Sequence, residues 1–272
     1  MRRTRILCST RNGVSTRLST IQGHTCYFLP MAAESMLVVS AHAADFVWRA
    51  GGAMALYAER GHQVTVVLLS YGERGESARY WRMNMTLEEI KSARHEEAAK
   101  ATSVLGANLR TFDADDYPLE ETPELLDRLV QLYRELQPTL VLTHTAVDPW
   151  NKDHQMANHL ATKARIIAQA PGYDPDGEVI GAPPVFLFEP HQSEYCEFKP
   201  SVLLDITEVW EKKKAAMECM EGQQHLWDYY TDVAKRRGVQ AKRNSGPNLG
   251  LTTGTMGEAY QRVYPQVASE LS

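Results

Sequence analysis

The apolar positions change period along the chain. Met36-Leu-Val-Val-Ser-Ala41, Val64-Thr-Val-Val-Leu-Leu69, Leu140-Val-Leu-Thr-His144 and Val185-Phe-Leu-Phe188 are short, nearly continuous apolar runs. Such runs mark strands of a parallel sheet buried on both faces. Leu109–Phe112 reads as a further short strand, and 202–206 is another apolar stretch. Helical spacing fills the intervals: Asp45 to Arg60, Leu87 to Leu105, Thr122 to Pro138, His154 to Ala168, and a long charged helix from about Glu208. Gly61 and Gly106 supply stops, and Pro138 ends the third helix. Thr122 is placed to cap that helix, with Pro123 at its first position. Gly51-Gly52 weakens the first helix but permits close packing. The alternation predicts an α/β fold: a Rossmann-like open, mainly parallel sheet with helices on both faces and right-handed crossovers. No repeat is visible. Residues 34–272 read as a single domain with a less regular C-terminal part.

Residues 1–33 have another character. They contain no Asp or Glu, but have arginines at 2, 3, 5, 11 and 17 among many Ser and Thr. The composition is that of an organellar transit segment, or of translation from an upstream start codon with Met31 as the true start. Either way this basic extension stands outside the expected fold.

The remaining composition narrows the function. A chain of 272 residues with 43% hydrophobic content can bury a sizeable core, roughly 75% of its unfolded surface. The net charge of -5 predicts no nucleic-acid partner, and no apolar run reaches the ~20 residues of a membrane span. Cys8, Cys26, Cys196 and Cys219 are scattered without a CxxC, which predicts reduced thiols in the cytoplasm.

Two segments carry candidate chemistry: Ser40-Ala-His-Ala-Ala-Asp45 and Asp148-Pro-Trp-Asn-Lys-Asp-His154. Each follows a predicted strand and begins a helix. Open α/β sheets bind ligands at the carboxyl ends of their strands, where strand order reverses. If the first and fourth strands in chain order, 36–41 and 140–144, flank that point, His42, Asp45 and His154 converge. Two imidazoles and a carboxylate suit a catalytic zinc ion with an open position. His154 also points inward, three residues before the apolar face Ala157, Leu160, Ala161, Ala164 and Ile167. Each residue has a simpler reading: a lone His at a helix start is commonly solvated, and Asp45 and Asp153 can cap their helices.

The chain resembles the PIG-L/LmbE family of zinc-dependent enzymes, best known as N-deacetylases of sugar conjugates. That family opens with a strand ending in His-Pro-Asp-Asp-Glu and a Gly-Gly helix, matched by His42-Ala-Ala-Asp45-Phe and Gly51-Gly52. Gly72-Glu-Arg-Gly75, Arg94-His-Glu-Glu97 with Leu105-Gly106, Asn151-Lys-Asp153-His154, and Asp205-Ile-Thr followed by Lys212-Lys-Lys-Ala-Ala match later motifs in order. The resemblance spans residues 36 to 225 and implies one zinc ion on His42, Asp45 and His154.

Two departures alter the expected chemistry. The family's general base, the Asp before the metal-binding Asp, is Ala44, and the first His of the second motif is Asn151. A base supplies typically ~10²–10⁴-fold, so a deacetylase would need another. The stretch Ala41-His-Ala-Ala-Asp-Phe-Val-Trp-Arg-Ala-Gly-Gly52 resembles instead the 4-oxalomesaconate hydratases of this superfamily, which add water to a carbon–carbon double bond in gallate degradation. Candidates for proton transfer are His191 of the Phe188-Glu-Pro-His191 turn, then Glu73 and His144. Asp153 is a candidate to orient a metal-binding His. Arg243 and Asn151 are the candidate substrate contacts, with Arg74, Arg79 and Arg237 as competitors for the carboxylates. The expected partner is a small polycarboxylate, bound by a cytoplasmic homo-oligomer without nucleic-acid or membrane contacts. An N-deacetylase with a recruited base such as His191 is the alternative, and a non-catalytic binder the third.

Overall fold

A computed structural model describes residues 20–21, 24–25, 33–175, 177–246 and 249–268. Residues 1–32 and 33–272 form separate contact units. In the first, Thr20–Ile21 pairs antiparallel with His24–Thr25; the rest of the basic extension lies outside the described residues.

The second unit is built on a seven-stranded sheet among the described residues. Strands β1 (Ser35–Ser40), β2 (Gln63–Leu68), β3 (Asn108–Thr111), β4 (Leu140–Thr143) and β5 (Val185–Phe188) run parallel, in the spatial order β3-β2-β1-β4-β5. β6 (Val202–Asp205) and β7 (Gly257–Arg262) complete it, with β7 inserted antiparallel between β5 and β6. The sheet is therefore mixed but mostly parallel. The β7 segment has no apolar run to announce it: its Gly-Glu-Ala-Tyr-Gln-Arg sequence reads as polar, although Glu258 is buried.

Successive residues of each central strand feed opposite cores. Met36 and Val38 face one side with Val64, Val66 and Leu142; Leu37 and Val39 face the other with Val67 and Val141. Helices α1 (Asp45–Glu59), α3 (Leu87–Leu105), α6 (Trp210–Glu218) and α7 (Trp227–Asn244) cover the first side. Helices α4 (Pro123–Leu136) and α5 (Lys152–Ala168) cover the second, while α2 (Ala78–Arg82) is a short turn before α3. The starts of α3 and α4 are chemically fixed. Thr86 and Glu89 form a reciprocal capping box, and the Thr122 hydroxyl accepts from Leu125 N–H at 3.1 Å with Pro123 in the first turn.

The expected long charged helix is two helices. A 3₁₀ turn at Thr207–Val209 precedes α6, and Glu221–Leu226 forms another before α7. The break serves a buried polar network. Arg94, fully buried in α3, donates to Glu97 at 2.5 Å and to Gln223 at 3.0 Å, and Gly222 N–H donates to Glu97 at 2.8 Å. A continuous helix would carry these partners past Arg94.

The Gly51-Gly52 pair has a similar local cause. Glu258 accepts from Gly52 N–H at 2.7 Å and Ala53 N–H at 2.8 Å, within the body of α1. Lys213 donates to Glu258 at 2.7 Å and to the Trp48 carbonyl at 2.9 Å, and Tyr260 donates to Glu258 at 2.6 Å. A Cβ on Gly52 would meet Ile206 at 2.7 Å and the Glu258 carboxylate at 2.9 Å. An ion pair thus reaches the helix backbone at a position only glycine leaves open. No described helix is long and apolar enough to cross a membrane.

Lys213→Met removes one partner of this buried pair and leaves the Glu258 charge behind. The expected cost is about 3–5 kcal/mol, read as a lower midpoint in chemical denaturation.

Candidate metal centre

β1 pairs directly with β4, through Met36–Leu140, Leu37–Val141 and Val38–Leu142. Strand order reverses between these two, so the segments leaving their carboxyl ends face each other. The first places His42 and Asp45 in the turn into α1, and the second places Asp148, Asn151 and His154 at the start of α5. A third segment, the 72–76 loop after β2, contributes Glu76.

His42, Asp45, Glu76 and His154 each offer one donor atom, and these atoms lie within 4.8 Å of one another. His42 Nδ1 lies 3.2 Å from Asp45 and 3.1 Å from Glu76; His154 Nε2 lies 3.3 Å from Asp45 and 3.7 Å from Glu76. Both ring nitrogens are buried without a hydrogen-bond partner. They face carboxylates at close range, but not in hydrogen-bonding alignment, and point instead into the shared centre. Two nitrogens and two carboxylate oxygens around one point fit a divalent cation.

The opposite ring nitrogens are held by other carboxylates. His42 Nε2 lies 3.2 Å from Asp153, and His154 Nδ1 lies 2.8 Å from Asp148. Each carboxylate takes the N–H of its imidazole and leaves the inward nitrogen with its lone pair. Asp153 is fixed in turn by Tyr117 N–H at 2.8 Å and Leu119 N–H at 2.9 Å. Asp153 is therefore not the cap of α5. Asn151 is, accepting from Asp153 N–H at 3.1 Å and His154 N–H at 3.4 Å. Asp45 likewise occupies the first turn of α1 rather than its cap, and accepts from His42 N–H at 3.0 Å.

Proton affinities show what the centre lacks. Burial opposes charge on His42, but Glu76, Asp153 and Asp45 outweigh it and hold its pKa well above the usual histidine value. Burial again opposes charge on His154, yet Asp45 and Asp148 raise it to about 9. Asp45 lies well below the ordinary carboxylate range: His154, His144 and Arg49 overcome its burial. Glu76 is lowered too, with His42 overcoming burial. The cluster draws positive charge into a dry space, and a divalent ion supplies it without protonating the imidazoles.

The other sequence candidates distribute unevenly. His191 and Asn151 line a cavity of about 220 Å³ beside the cluster, together with Asp45, Glu76 and His154. The His191 ring stacks on Tyr229 at 4.2 Å, and burial and Arg49 lower its pKa. Asn151 donates to Glu76 at 3.2 Å and to the Tyr117 hydroxyl at 3.1 Å. His144 does not line the cavity. It is fully buried behind His154, their rings stacked at 4.2 Å, and its Nε2 accepts from Ala41 N–H at 3.0 Å.

Glu73 is also outside the cluster, fully buried, with Arg74 at 3.5 Å and Lys91 at 3.7 Å. Three residues later, Glu76 enters. The loop is turned by Asp116, whose carboxylate accepts from Arg74 N–H at 3.0 Å and Gly75 N–H at 2.9 Å. A Cβ on Gly75 would overlap the Tyr117 ring at 2.0 Å, so this turn requires glycine. Arg243 lies exposed in the last turn of α7, away from the cavity. Arg74, Arg79 and Arg237 are tied respectively to Asp115, the Glu221 carbonyl and Glu189. The arginine that does line the cavity is Arg49, on α1. The sequence reading missed both Glu76 and Arg49. The available signals were the second Glu of the Gly-Glu-Arg-Gly-Glu loop, and an Arg one helical turn after Asp45.

Residues 37–165 match the PIG-L family, described as GlcNAc-PI de-N-acetylase. The chain is 55% identical over 243 residues to a 4-oxalmesaconate hydratase of Pseudomonas putida, covering 88% of this chain and 93% of that protein. The crystal structure of GalB, the 4-carboxy-2-hydroxymuconate hydratase from Pseudomonas putida KT2440, matches with a TM-score of 0.85 at 53% identity, covering 89% of this chain and 100% of that one. A diacetylchitobiose deacetylase of Thermococcus kodakarensis is 25% identical over 225 residues, 78% of this chain and 79% of that protein.

His154→Ala should abolish retention of a divalent ion through dialysis, measured by elemental analysis. Asp153→Asn keeps the four donors but loosens the His42 ring, and should weaken the metal about 10- to 100-fold in competition with a chelator.

Proposed function

The chain belongs to the PIG-L family, and on that premise we propose that it is a zinc-dependent hydratase. It adds water to the carbon–carbon double bond of 4-oxalomesaconate, giving 4-carboxy-4-hydroxy-2-oxoadipate in gallate degradation. The observation that carries this reading is the 55% identity to a hydratase across nearly its whole length. The site supports it. Ala44 is fully buried and offers no proton acceptor where the deacetylases of the family place their base. The reading carries with it a cytoplasmic homo-oligomer acting on a small polycarboxylate.

His42, Asp45 and His154 would hold the zinc ion, with Glu76 on the side facing the cavity. Bound there, zinc would supply Lewis acidity toward the substrate's oxygens. The protein's own groups divide the proton traffic. Glu76 is ionised, lines the cavity and has a partly accessible side chain, so it takes the proton from water. Asn151 holds its carboxylate through the 3.2 Å hydrogen bond. His191 also lines the cavity and delivers a proton to carbon. Burial and Arg49 lower its pKa, so it gives up a proton readily once it carries one; the proton that Glu76 takes from water passes through His191 to carbon, and both groups end as they began.

The deacetylase alternative keeps one specific support, the family match over residues 37–165. A paired assay on zinc-loaded protein separates the two. One arm follows loss of the conjugated absorbance of 4-oxalomesaconate, and the other follows free amine from N-acetylglucosamine conjugates. Hydration abolished by chelation is expected; amine release without hydration would overturn the proposal. Glu76→Gln should lower kcat for hydration about 10²–10⁴-fold while zinc stays bound.

A further inference from the structure

The cavity beside the metal centre has a second wall whose chemistry the centre does not use. Trp48 and Arg49 follow Asp45 by three and four residues on α1, so the helical period sets them one turn further along the same face. Both line the cavity. Both also carry a buried N–H without a partner: Trp48 Nε1 and Arg49 Nε. Unpaired buried donors are rare because each has lost its water. Two of them, adjacent in sequence and lining one cavity, point to an acceptor that arrives with the ligand.

The guanidinium makes the acceptor's shape specific. Arg49 Nη1 lies 3.2 Å from His144 Nδ1 and 3.5 Å from His154 Nδ1. Nη2 comes no closer than 3.6 Å to Asp45, whose carboxylate also faces both metal-centre imidazoles. Nε therefore has no hydrogen-bonded acceptor, and the guanidinium's further neighbour is the Tyr230 hydroxyl, a neutral group. The Arg49 side chain is only 5% exposed, and no other Lys or Arg is among the described residues lining the cavity. Trp48 is held in orientation by stacking on Tyr230, with ring centroids 5.4 Å apart and planes at 11°.

We propose that Trp48 and Arg49 form a carboxylate subsite. The Arg49 Nε/Nη2 edge receives one carboxylate of the substrate by a two-point contact, and the Trp48 indole N–H supplies a further donor. That the carboxylate belongs to 4-oxalomesaconate rests on the hydratase reading; that an organic acid docks here rests on the orphaned donors and the lone cation. Because Arg49 follows Asp45 by one helical turn and its Nη2 lies 3.6 Å from the Asp45 carboxylate, the subsite selects substrates with an acid group close to the atoms that meet the metal. A lysine would keep the charge but lose the fork.

The test measures malonate binding to zinc-loaded protein by titration calorimetry, alongside zinc content and hydration kinetics. Arg49→Gln should weaken malonate roughly 10- to 100-fold and raise KM for 4-oxalomesaconate by a similar factor, with zinc at the wild-type stoichiometry. Arg49→Lys should recover only part of the loss, and Trp48→Phe, which keeps the stack but not the N–H, should weaken malonate about threefold or more. Malonate affinity unchanged in Arg49→Gln, or absent in the wild type, would overturn the subsite. So would parallel loss of zinc in both Arg49 variants, which would make Arg49 a support for Asp45 and His154. Arg49-dependent malonate binding without hydration would sink the hydratase reading and leave the subsite standing. Hydration with Arg49-independent binding would do the reverse.

Discussion

Donor atoms of four ionisable side chains lie within 4.8 Å of one another at the carboxyl ends of β1, β2 and β4, three of the residues buried and Glu76 half-buried. Two carboxylates cannot remain charged there unless positive charge joins them. This requirement explains much of the surrounding structure. Asp153 and Asp148 turn the two imidazoles so that their free nitrogens face inward. Asn151 caps α5 with its carbonyl oxygen while its amide nitrogen holds Glu76. Asp116 bonds the backbone of the 72–76 loop so that Glu76 enters. Remove the demand for a cation and these buried polar groups would have little reason to be dry.

The sequence revealed the parts of this arrangement that come from regular structure. The runs at 36–41 and 140–144 could be recognised as parallel strands because both faces are buried, and their adjacency is what brings the two motifs together. The position of His154 on the inward face of α5 followed from the helical period. The loops and the polar interior were less legible. Nothing in the order Glu73-Arg74-Gly75-Glu76 tells which carboxylate reaches the centre, since that depends on Asp116 from a distant strand end. Arg49 looks like an ordinary surface residue of an amphipathic helix until the packing of α7 encloses it beside Tyr230. β7 was invisible for the same reason, because the burial of Glu258 depends on Lys213 and on the backbone of α1.

The change at position 44 shows how one scaffold can support two reactions. Hydrolysis of an amide and hydration of an alkene both need water beside a Lewis acid, but the electrons move to different atoms. In the first, charge develops on the carbonyl oxygen under attack; in the second, it is delocalised into an oxygen further along the conjugated system. Ala44 leaves a methyl group on the helix side of the centre, whereas Glu76, from the opposite loop, lines the cavity with an ionised carboxylate. In the proposed reaction the acceptor moves from α1 to that loop, which changes the direction from which water approaches, while the proposed ligands stay in place.

Helix α1 then carries three roles at successive turns. Asp45 joins the donor cluster, Trp48 and Arg49 line the cavity, and the backbone at Gly52 and Ala53 receives Glu258. These roles share one rigid body. A small rotation of α1 that improved the fit of Glu258 would move the Arg49 fork and Asp45 together, so a substrate spanning cation and fork tests the helix's orientation. The buried Lys213–Glu258 pair fixes that orientation from the far side of the helix, where the contact is with backbone atoms rather than with a rotatable side chain. Backbone contact transmits position more faithfully than a side-chain contact could, and it is possible here because residue 52 has no Cβ. The glycine pair that weakens the helix locally thereby supports the geometry of a site two turns away.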